Sequence, residues 1–461
     1  MSKKDQPIIV GLDIGTTKVV AIAGQKNEFG KLEILSVGKT ESQGVRHGVV
    51  MNIDQCIRSI KIAIEKCLTN NPDLNIREVY VGIAGQHIKS LQTRGDRVRV
   101  DNNTEITRNE LDALIKDQEK TFIPAGDEII DIVPQEFFVD DMQTTLSPVG
   151  MNGSKIGANF HIVTGDKNAI RNIKRCVERS ELVTRDLVLQ PLASAAAVMS
   201  PEDLEAGVAI VDIGGGTTDM AVFYDGILKH TAVIPYAGVN ITNDIHYGLG
   251  VLRAQAEQLK VQFGTAHADH ANPNSYITIP GLKGLPPKEI SVKNLAHIIQ
   301  ARTHEILDYV SYHLKQIGLE KRLYGGIILT GGGASLRHIT QLTEYVTGMS
   351  ARIGRPNEHL AGGHSEDMGD PMYSTCIGLI LRGYHDFENG TYKASGNNLI
   401  HISLDAAKEE EYVADTPMDE FALAEQEELG RKRRRQFGKI FDGLKDKLMS
   451  MFEDEEDRRF D

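Results

Sequence analysis

The sequence has few cysteines and none of the cysteine pairs that mark a zinc site or a disulfide framework. The 461 residues contain four cysteines, and no two of them form a Cys-x-x-Cys pair. We therefore expect isolated thiols in a reducing compartment. The net charge is -13, which argues against nucleic acid binding by the surface as a whole.

Targeting and membrane-spanning segments are also missing. The N-terminal residues enter an apolar strand without the hydrophobic region of a signal peptide, and Ser2 stands where a myristoylation motif requires glycine. No apolar run approaches the roughly 18 residues that span a bilayer. We therefore expect a cytosolic chain, unless a peripheral anchor attaches it to a membrane. The chain is too long for one compact domain of usual size.

Two distant segments share one pattern, which predicts a duplicated α/β unit. Residues 8–22 and 208–222 each read as a buried strand, Asp-Ile-Gly, small and hydroxylated residues, and a second strand. Each copy predicts a β-hairpin with a Gly/Thr turn, and the recurrence predicts two copies facing each other. Such turns can aim N–H groups at phosphate oxygens, and Asp13 and Asp212 could hold waters on magnesium. One copy alone would fit an ordinary hairpin.

A third glycine cluster follows the apolar run 326–330 and reads Gly-Gly-Gly-Ala over 331–334. A strand followed by glycines and a helix start favours contact between backbone and ligand. The cluster is neither a Walker A loop nor a dinucleotide-binding G-x-G-x-x-G motif.

The three motifs, in this order, resemble those of the actin, Hsp70 and sugar-kinase superfamily. The resemblance implies an α/β, actin-like duplicated ATPase fold that binds ATP with magnesium, the first two turns gripping the phosphates and the third packing on adenosine. Gln190 begins a segment that resembles the first connecting helix, where such a residue often positions the attacking water. Segment 374–379 resembles the second connecting helix. Both segments would also fit plain core helices.

Three further features resemble the FtsA family of bacterial cell-division proteins: segment 44–54, a block of mixed strand and helix signals at 86–160, and segment 235–264. In that family the block is an inserted small α+β domain, 1C, that serves filament contacts and contacts with other division proteins. The resemblance places Gly238 near the phosphates and Glu257 and Lys260 at the adenosine. The spacing of these last two also fits a solvated ion pair.

The resemblance supplies a full set of nucleotide-site residues and a domain division. The cofactor-binding residues are Asp13, Gly15, Thr16, Thr17, Lys18, Asp212, Gly214, Gly215, Gly216, Thr217, Thr218, Gly238, Asn240, Glu257, Lys260, Gly331, Gly332, Gly333 and Ala334, with Asp13 and Asp212 on magnesium through water and Gln190 as the catalytic candidate. The predicted divisions are 1A at 1–85 and 161–206, 1C at 86–160, 2A at 207–243 and 322–385, 2B at 244–321, a flexible linker at 386–430, an amphipathic helix at 431–452 and an acidic tail at 453–461.

A long helix is predicted from Asn294 to Ile317, with an apolar stripe opposite its charged residues. Within it, residues 301–306 resemble the FtsA-family helix that docks the C-terminal peptide of the tubulin homologue FtsZ. Arg302 and Glu305 match positions used there. An exposed ion pair would also explain these two residues.

The predicted helix at 431–452 has a basic and an apolar face. The segment contains eight basic and two acidic residues. At about 100° per residue, its apolar side chains share one face; they are Phe437, Ile440, Phe441, Leu444, Leu448, Met451 and Phe452. This pattern predicts a helix lying in the interface of an anionic membrane. The arginines could instead bind nucleic acid, or the helix could dock on a partner protein.

Together with the resemblance, these features predict an ATP-binding cell-division scaffold. It would polymerise on the cytoplasmic face of the cell membrane at the septum and anchor FtsZ filaments there, with at most slow ATP hydrolysis. The alternatives are a pilus-assembly-type adaptor, a small-molecule kinase and an Hsp70-like chaperone. The 78 residues after Gly383 (461 − 383) are mostly polar and argue against the chaperone, because no substrate-binding domain fits there.

Overall fold

The structure is a computed structural model that describes residues 6–101, 103–143, 146–281, 286–362 and 368–389. These residues belong to the first of two compact units, Met1–Leu404. The predicted membrane helix, with its seven apolar residues, lies outside the described residues, as do the acidic tail and the predicted linker beyond residue 389.

The first half of the chain and its insertion contain β1 (Ile9–Ile14), β2 (Lys18–Lys26), β3 (Leu32–Glu41), β4 (Val45–Arg46), β5 (Val49–Val50), α1 (Ile53–Asn70), β6 (Glu78–Ile83), β7 (Ile88–Val98), α2 (Arg108–Asp117), β8 (Asp127–Val139), β9 (Met142–Gln143), β10 (Lys155–Asp166), α3 (Lys167–Glu178), β11 (Val183–Leu189), α4 (Gln190–Val198) and α5 (Pro201–Ala206). The second half contains β12 (Val208–Ile213), β13 (Thr218–Tyr224), β14 (Ile227–Ile234), α6 (Gly238–Leu249), α7 (Arg253–Phe263), β15 (Tyr276–Ile279), β16 (Lys288–Ser291), α8 (Val292–Gln316), β17 (Ile327–Thr330), α9 (Ile339–Thr347), β18 (Ala351–Ile353) and α10 (Ser374–Glu388).

Two five-stranded sheets have the same topology. The first has the order β11-β6-β1-β2-β3 and the second the order β18-β17-β12-β13-β14. In the first sheet β1 pairs antiparallel with β2 and parallel with β6, and in the second β12 pairs antiparallel with β13 and parallel with β17. The motif repeated in the sequence therefore forms the same hairpin at the same place in each sheet.

Helices α4 and α10 share one hydrophobic core with residues of both sheets. They cross closely because neither carries a bulky residue at the contact: a Cβ on Gly378 would lie 1.8 Å from the Ala193 carbonyl oxygen. Pro191 in the first turn of α4 costs no helical hydrogen bond, since that N–H would have no partner within the helix. The crossing brings the N-terminal turns of both helices to the ends of β1 and β12, where the repeated turns lie.

The insertion between β6 and α3 is an antiparallel sheet of order β7-β10-β8-β9 with α2 and a hydrophobic core of its own. Helix α2 begins with a capping box formed by Thr107 and Glu110, which lie three residues apart. The insertion also contacts the second half of the chain: Gln92 Nε2 donates to the Lys229 carbonyl oxygen at 3.1 Å, and Lys229 pairs with Glu136.

The second half carries a smaller layer in which α6, α7, α8 and the β15–β16 hairpin enclose a separate core. Helix α8 runs from Val292 to Gln316, two residues ahead of the predicted start, because Ser291 caps it. Helix α10 extends to Glu388, beyond the predicted linker start at 386. Among the described helices, no apolar stretch is long enough to span a bilayer.

Candidate functional site

The two repeated turns have the same backbone geometry and open onto one cleft. In the first, Gly15 N–H donates to the Lys18 carbonyl oxygen at 3.0 Å, and in the second Gly214 N–H donates to the Thr217 carbonyl oxygen at 3.0 Å. Asp13 and Asp212 occupy equivalent positions near the ends of β1 and β12, and both line this cleft. The structure thus brings together the two carboxylates that the sequence predicts as a pair.

The turns touch each other through side chains of the first and backbone of the second. A Cβ on Gly215 would lie 2.5 Å from Thr17 Cγ2, and a Cβ on Gly216 would lie 2.3 Å from Thr16 Oγ1. The cavity at this contact has a volume of about 60 Å³. The two halves are therefore closed against each other in this structure.

Asp13 is buried and is held by α4. Gln190 Nε2 donates to Asp13 Oδ1 at 2.8 Å. Burial raises the pKa of Asp13 to about 6, the Lys18 ammonium opposes the shift, and the Asp212 carboxylate adds to it. A cation bound here would reverse this shift, since it would stabilise the ionised carboxylate.

Asp212 is held by hydroxyls of both connecting helices. Ser194 Oγ donates to Asp212 Oδ2 at 2.6 Å, and Thr375 Oγ1 lies 3.3 Å from the same oxygen. Burial raises the pKa of Asp212, and the hydroxyl donors and Lys18 oppose that shift. Ser194 and Thr375 lie in the segments that resemble connecting helices, but no local pattern there indicates that they hold a carboxylate.

Asp219 is a third buried carboxyl at the cleft that sequence reasoning missed. Its Oδ2 accepts from Thr217 Oγ1 at 2.8 Å, and its Oδ1 has no hydrogen-bond partner in the part of the chain that the structure describes. Burial and then the neighbouring Asp212 raise its pKa to about 8. Its place in the second copy of the repeat, where the first copy has Val20, is the signal that could have singled it out.

Lys18 lies at the end of the first turn and joins it to the chain before α10. Its Nζ donates to the Met372 carbonyl oxygen at 2.8 Å. Burial lowers the pKa of Lys18, and Asp13 opposes that shift. The ammonium thus lies among the carboxyls of the cleft and offsets part of their charge.

The third glycine cluster packs directly on Asp212 and Ile213. Gly331 has φ +79°, and a Cβ there would lie 2.2 Å from Asp212 Oδ1, so glycine is required for both reasons. Gly331 and Gly332 line the cleft. Gly333 packs on Ile213, and Ala334 is buried.

Gly238 connects the second turn to α7. Its N–H donates to the Gly214 carbonyl oxygen at 3.1 Å, and its own carbonyl oxygen accepts from Lys260 Nζ at 3.0 Å. Lys260 also pairs with Glu257 at 2.8 Å. The ion pair that the spacing allows as an alternative to adenosine contacts is present, and Gly238 links it to the second turn.

Two of the predicted site residues, Thr218 and Asn240, make hydrogen bonds to the chain segment that precedes α6. The Thr218 hydroxyl is buried and donates to the Tyr236 carbonyl oxygen at 2.8 Å. Asn240 Oδ1 accepts from Ala237 N–H at 3.0 Å, and the residue lines a separate cavity in front of the turns.

The β4–β5 hairpin contacts both turns, a role that sequence reasoning did not give it. His47 and Gly48 form its two-residue turn with φ of +47° and +74°, which is the geometry of a type I′ turn. Gly48 N–H donates to Thr16 Oγ1 at 3.2 Å, and His47 Nδ1 lies 2.9 Å from the Gly216 carbonyl oxygen. The hairpin therefore joins the first half to the second.

The donor set at the cleft fits a hydrated magnesium ion better than a fully protein-bound metal. Buried carboxylates at Asp13 and Asp212 are the oxygen ligands that magnesium prefers, usually one or two per site with several waters. Among the described residues, no group of three or more His, Cys, Asp or Glu side chains is arranged to hold a metal ion.

The partner residues predicted on α8 lie away from the cleft lining and are engaged within the chain. Arg302 Nε donates to Asp244 Oδ2 at 2.6 Å, and its guanidinium also pairs with Glu305 and lies over the Tyr236 ring. Asp244 raises the pKa of Arg302. A peptide that binds these residues has to compete with the Asp244 pair.

The chain is similar to cell division proteins over most of its length. The protein-family model described as Cell division protein FtsA matches residues 209–378. The family model described as SHS2 domain inserted in FTSA matches residues 85–164. The Cell division protein FtsA of Pseudomonas aeruginosa is 36% identical over 383 residues, which is 83% of this chain and 91% of that protein. The protein of the same name from Escherichia coli K12 is 32% identical over 393 residues, 84% of this chain and 92% of that protein.

Solved structures share the fold at low sequence identity. The PilM-PilN type IV pilus biogenesis complex contains a chain that is similar with a TM-score of 0.61 at 16% identity, over 81% of this chain and 98% of that one. MreB 5 of Spiroplasma citri bound to AMPPNP has a TM-score of 0.50 at 15% identity, over 83% of this chain and 98% of that one. These likenesses, with the inserted-domain match, confirm the predicted actin-like fold and its insertion.

Proposed function

Because the chain belongs to the family of the cell division protein FtsA, we propose that it is a nucleotide-dependent scaffold that binds ATP with magnesium, assembles into filaments and ties FtsZ polymers to the cytoplasmic face of the membrane at the septum. The observation that carries the nucleotide part is the pair of matched turns, with Asp13 and Asp212 facing one cleft. The similar Spiroplasma protein was solved with AMPPNP, which supports an adenine nucleotide as the ligand.

Each residue set at the cleft has a distinct task in this proposal. The N–H groups of the two turns bind phosphate oxygens, and the Gly238–Lys260–Glu257 group and the third glycine cluster surround the adenosine. Magnesium, when bound, would neutralise charge on the phosphates. Asp13 and Asp212 would hold it through water. Gln190 positions Asp13 through Nε2, which leaves its Oε1 to orient a water for slow hydrolysis.

Calorimetric titration with Mg-AMPPNP tests the nucleotide site. Asp13→Asn and Asp212→Asn each remove a negative charge from the predicted cation site, so we expect affinity to fall at least about tenfold in each, since charge-assisted contacts contribute about 1.5–3 kcal/mol. Asp112→Asn, an exposed carboxylate on α2, is the matched control. Affinity equal to that of the unsubstituted chain in both cleft variants would refute the site.

The membrane and partner parts of the proposal come from the family and from the sequence of residues 431–452. Its basic residues each add about 1 kcal/mol of attraction to an anionic surface, and its apolar face adds burial in the lipid. Arg302 and Glu305 provide a charged site for the FtsZ peptide once the Asp244 pair opens. The inserted domain offers a surface to neighbouring subunits and to other division proteins.

Co-sedimentation with anionic liposomes and FtsZ tests this part. The full chain should carry FtsZ to the vesicles, and a chain that ends at residue 430 should not. Arg302→Gln should reduce FtsZ recruitment and leave lipid binding unchanged. Recruitment by the truncated chain would contradict the anchor.

A further inference from the structure

We propose that the cavity in front of the two turns, here called the front cavity, is a second anion site for a ligand that carries a phosphate group. Its volume is about 520 Å³, which lies within the roughly 300–1,000 Å³ usual for small-molecule sites. The coupling of this anion site to nucleotide binding rests on the proposed nucleotide site.

The front cavity has two arginines in a lining that also contains the apolar residues Val45 and Val239. Arg46 and Arg253 line it together with His47, Asn240 and Asn243, and no acidic side chain is among its lining residues. Within the part of the chain that the structure describes, neither guanidinium is within 4.0 Å of a carboxylate in an ion pair, in contrast to Arg302. Both arginines are exposed, and on a chain with a net charge of -13 their positive charge attracts an anion to this cavity. Guanidinium groups match phosphate oxygens in a bidentate geometry.

The front cavity shares its rear wall with the nucleotide cleft. Thr16 and Gly216 line both spaces. The β4–β5 hairpin fixes this wall by its bonds to those two residues. Because a carbonyl oxygen only accepts, His47 Nδ1 is the donor to Gly216.

The front cavity is assembled from both halves of the chain. Arg46 and His47 come from the first half, whereas Asn243 and Arg253 come from α6 and α7 of the second. An anion bridging the two arginines therefore stabilises the closed arrangement and is coupled to whatever closes the cleft. The phosphate group could come from free phosphate released by hydrolysis or from a phosphate-bearing small molecule.

Titration of the full chain with inorganic phosphate, with and without saturating Mg-AMPPNP, tests this proposal. We expect one phosphate to bind in the presence of AMPPNP, and the double variant Arg46→Gln/Arg253→Gln to lose at least about tenfold in phosphate affinity, because each charge-assisted contact is worth a factor of about ten or more. AMPPNP affinity should change less than about twofold. Arg58→Gln, an exposed arginine on α1, is the control.

A parallel titration with AMP at saturating Mg-AMPPNP, which keeps AMP out of the nucleotide cleft, decides the source of the phosphate group. Weaker binding of AMP than of inorganic phosphate assigns the cavity to the free ion, and tighter binding assigns it to a phosphate-bearing small molecule. Competition between phosphate and AMPPNP for one site, or unchanged phosphate affinity in the double variant with an unchanged melting temperature, would overturn the proposal. If AMPPNP does not bind at all, the nucleotide site fails, and the titration without nucleotide still decides the front cavity.

Discussion

The two turns that face the cleft share a backbone and differ in side chains. The first reads Gly-Thr-Thr-Lys and the second Gly-Gly-Gly-Thr, yet each closes with the same N–H to carbonyl bond at 3.0 Å. The threonines of the first turn pack where the glycines of the second lack a Cβ. Duplication thus supplied one scaffold twice, and divergence of the turn residues allows the copies to meet face to face.

The two copies also differ in charge. At the position where β1 and β2 pair Asp13 with Val20, β12 and β13 pair Asp212 with Asp219. The first copy has Lys18 at the end of its turn, whereas the second copy has the additional carboxyl, Asp219, in the strand after its turn. A repeat therefore marks the place of a site, whereas the departures from the repeat carry its chemistry.

The largest effect is expected where both copies depend on one contact, the crossing of α4 and α10. Gly378→Ala would place a methyl group 1.8 Å from the Ala193 carbonyl oxygen. The helices have to separate, and they hold Gln190, Ser194 and Thr375. We expect a loss of about 3 kcal/mol in the free energy of unfolding, the upper end for overpacking, measured by urea denaturation.

Gly362→Ala is the control for that change, because a Cβ there would meet nothing within 4 Å. It should stay within about 0.5 kcal/mol of the unsubstituted chain. Equal effects of the two substitutions would show that the helices do not cross closely in solution.

A second prediction uses the charge difference. The pKa of Asp219 is raised from 3.8 to about 8, so the folded chain binds more protons than the unfolded chain between these values, and stability falls as pH rises toward 8. We expect a loss of about 2–3 kcal/mol from pH 6 to pH 9, because pH 6 lies two units below the raised pKa and each unit is worth 1.36 kcal/mol. Asp219→Asn, which makes this position neutral like Val20, should reduce the slope, and the buried Asp131, whose pKa is raised to about 7, accounts for part of the remainder.

Urea denaturation without nucleotide at pH 6, 7, 8 and 9 measures this slope. Asp13, with a pKa of about 6, contributes mainly below this range. Asp112→Asn is the exposed control. An unchanged slope in Asp219→Asn would place the titrating group elsewhere.

A third prediction tests the contact between the turns. Gly215→Ala would bring a Cβ to 2.5 Å from Thr17 Cγ2, so we expect it to cost about 2 kcal/mol. Adding Thr17→Ala leaves only the Thr17 Cβ contact of 3.1 Å and should restore about half of the loss, a coupling of about 1 kcal/mol. Thr16→Ala in place of Thr17→Ala should not restore it. Additive effects would mean that the turns are apart in solution.

The repeat, the glycine clusters and the helical stripe of α8 made the fold accessible from the sequence, because hydrophobic periodicity and turn residues are local signals. The capping box of α2 was accessible for the same reason, since its partners are three residues apart. The extension of α10 to Glu388 could not be predicted from the sequence. Its residues Tyr384 and Asp386 are polar, but they are buried against Pro7 and Tyr80.

Parts of the site depend on contacts between distant residues and could not be read from the sequence. The bonds of Ser194 and Thr375 to Asp212 join three segments, and the His47 bond to Gly216 spans 169 residues. Likewise, Arg302 and Glu305 lie three residues apart on one helix, but Asp244, which forms an ion pair with Arg302, comes from α6. Local pattern predicts what each segment is, whereas the fold decides which side chains remain free to act.

The smallest effect separates the supports of the two carboxylates. Gln190 is partly exposed, so in Gln190→Ala a water can replace the donor to Asp13, and we expect a loss of about 0.5 kcal/mol. Ser194 is fully buried, so Ser194→Ala leaves Asp212 with the longer Thr375 contact and should cost about 1.5 kcal/mol. Urea denaturation at pH 7 of both variants measures the difference. A larger loss in Gln190→Ala than in Ser194→Ala would show that burial does not govern the cost, and that the first carboxylate is the one the closed fold depends on.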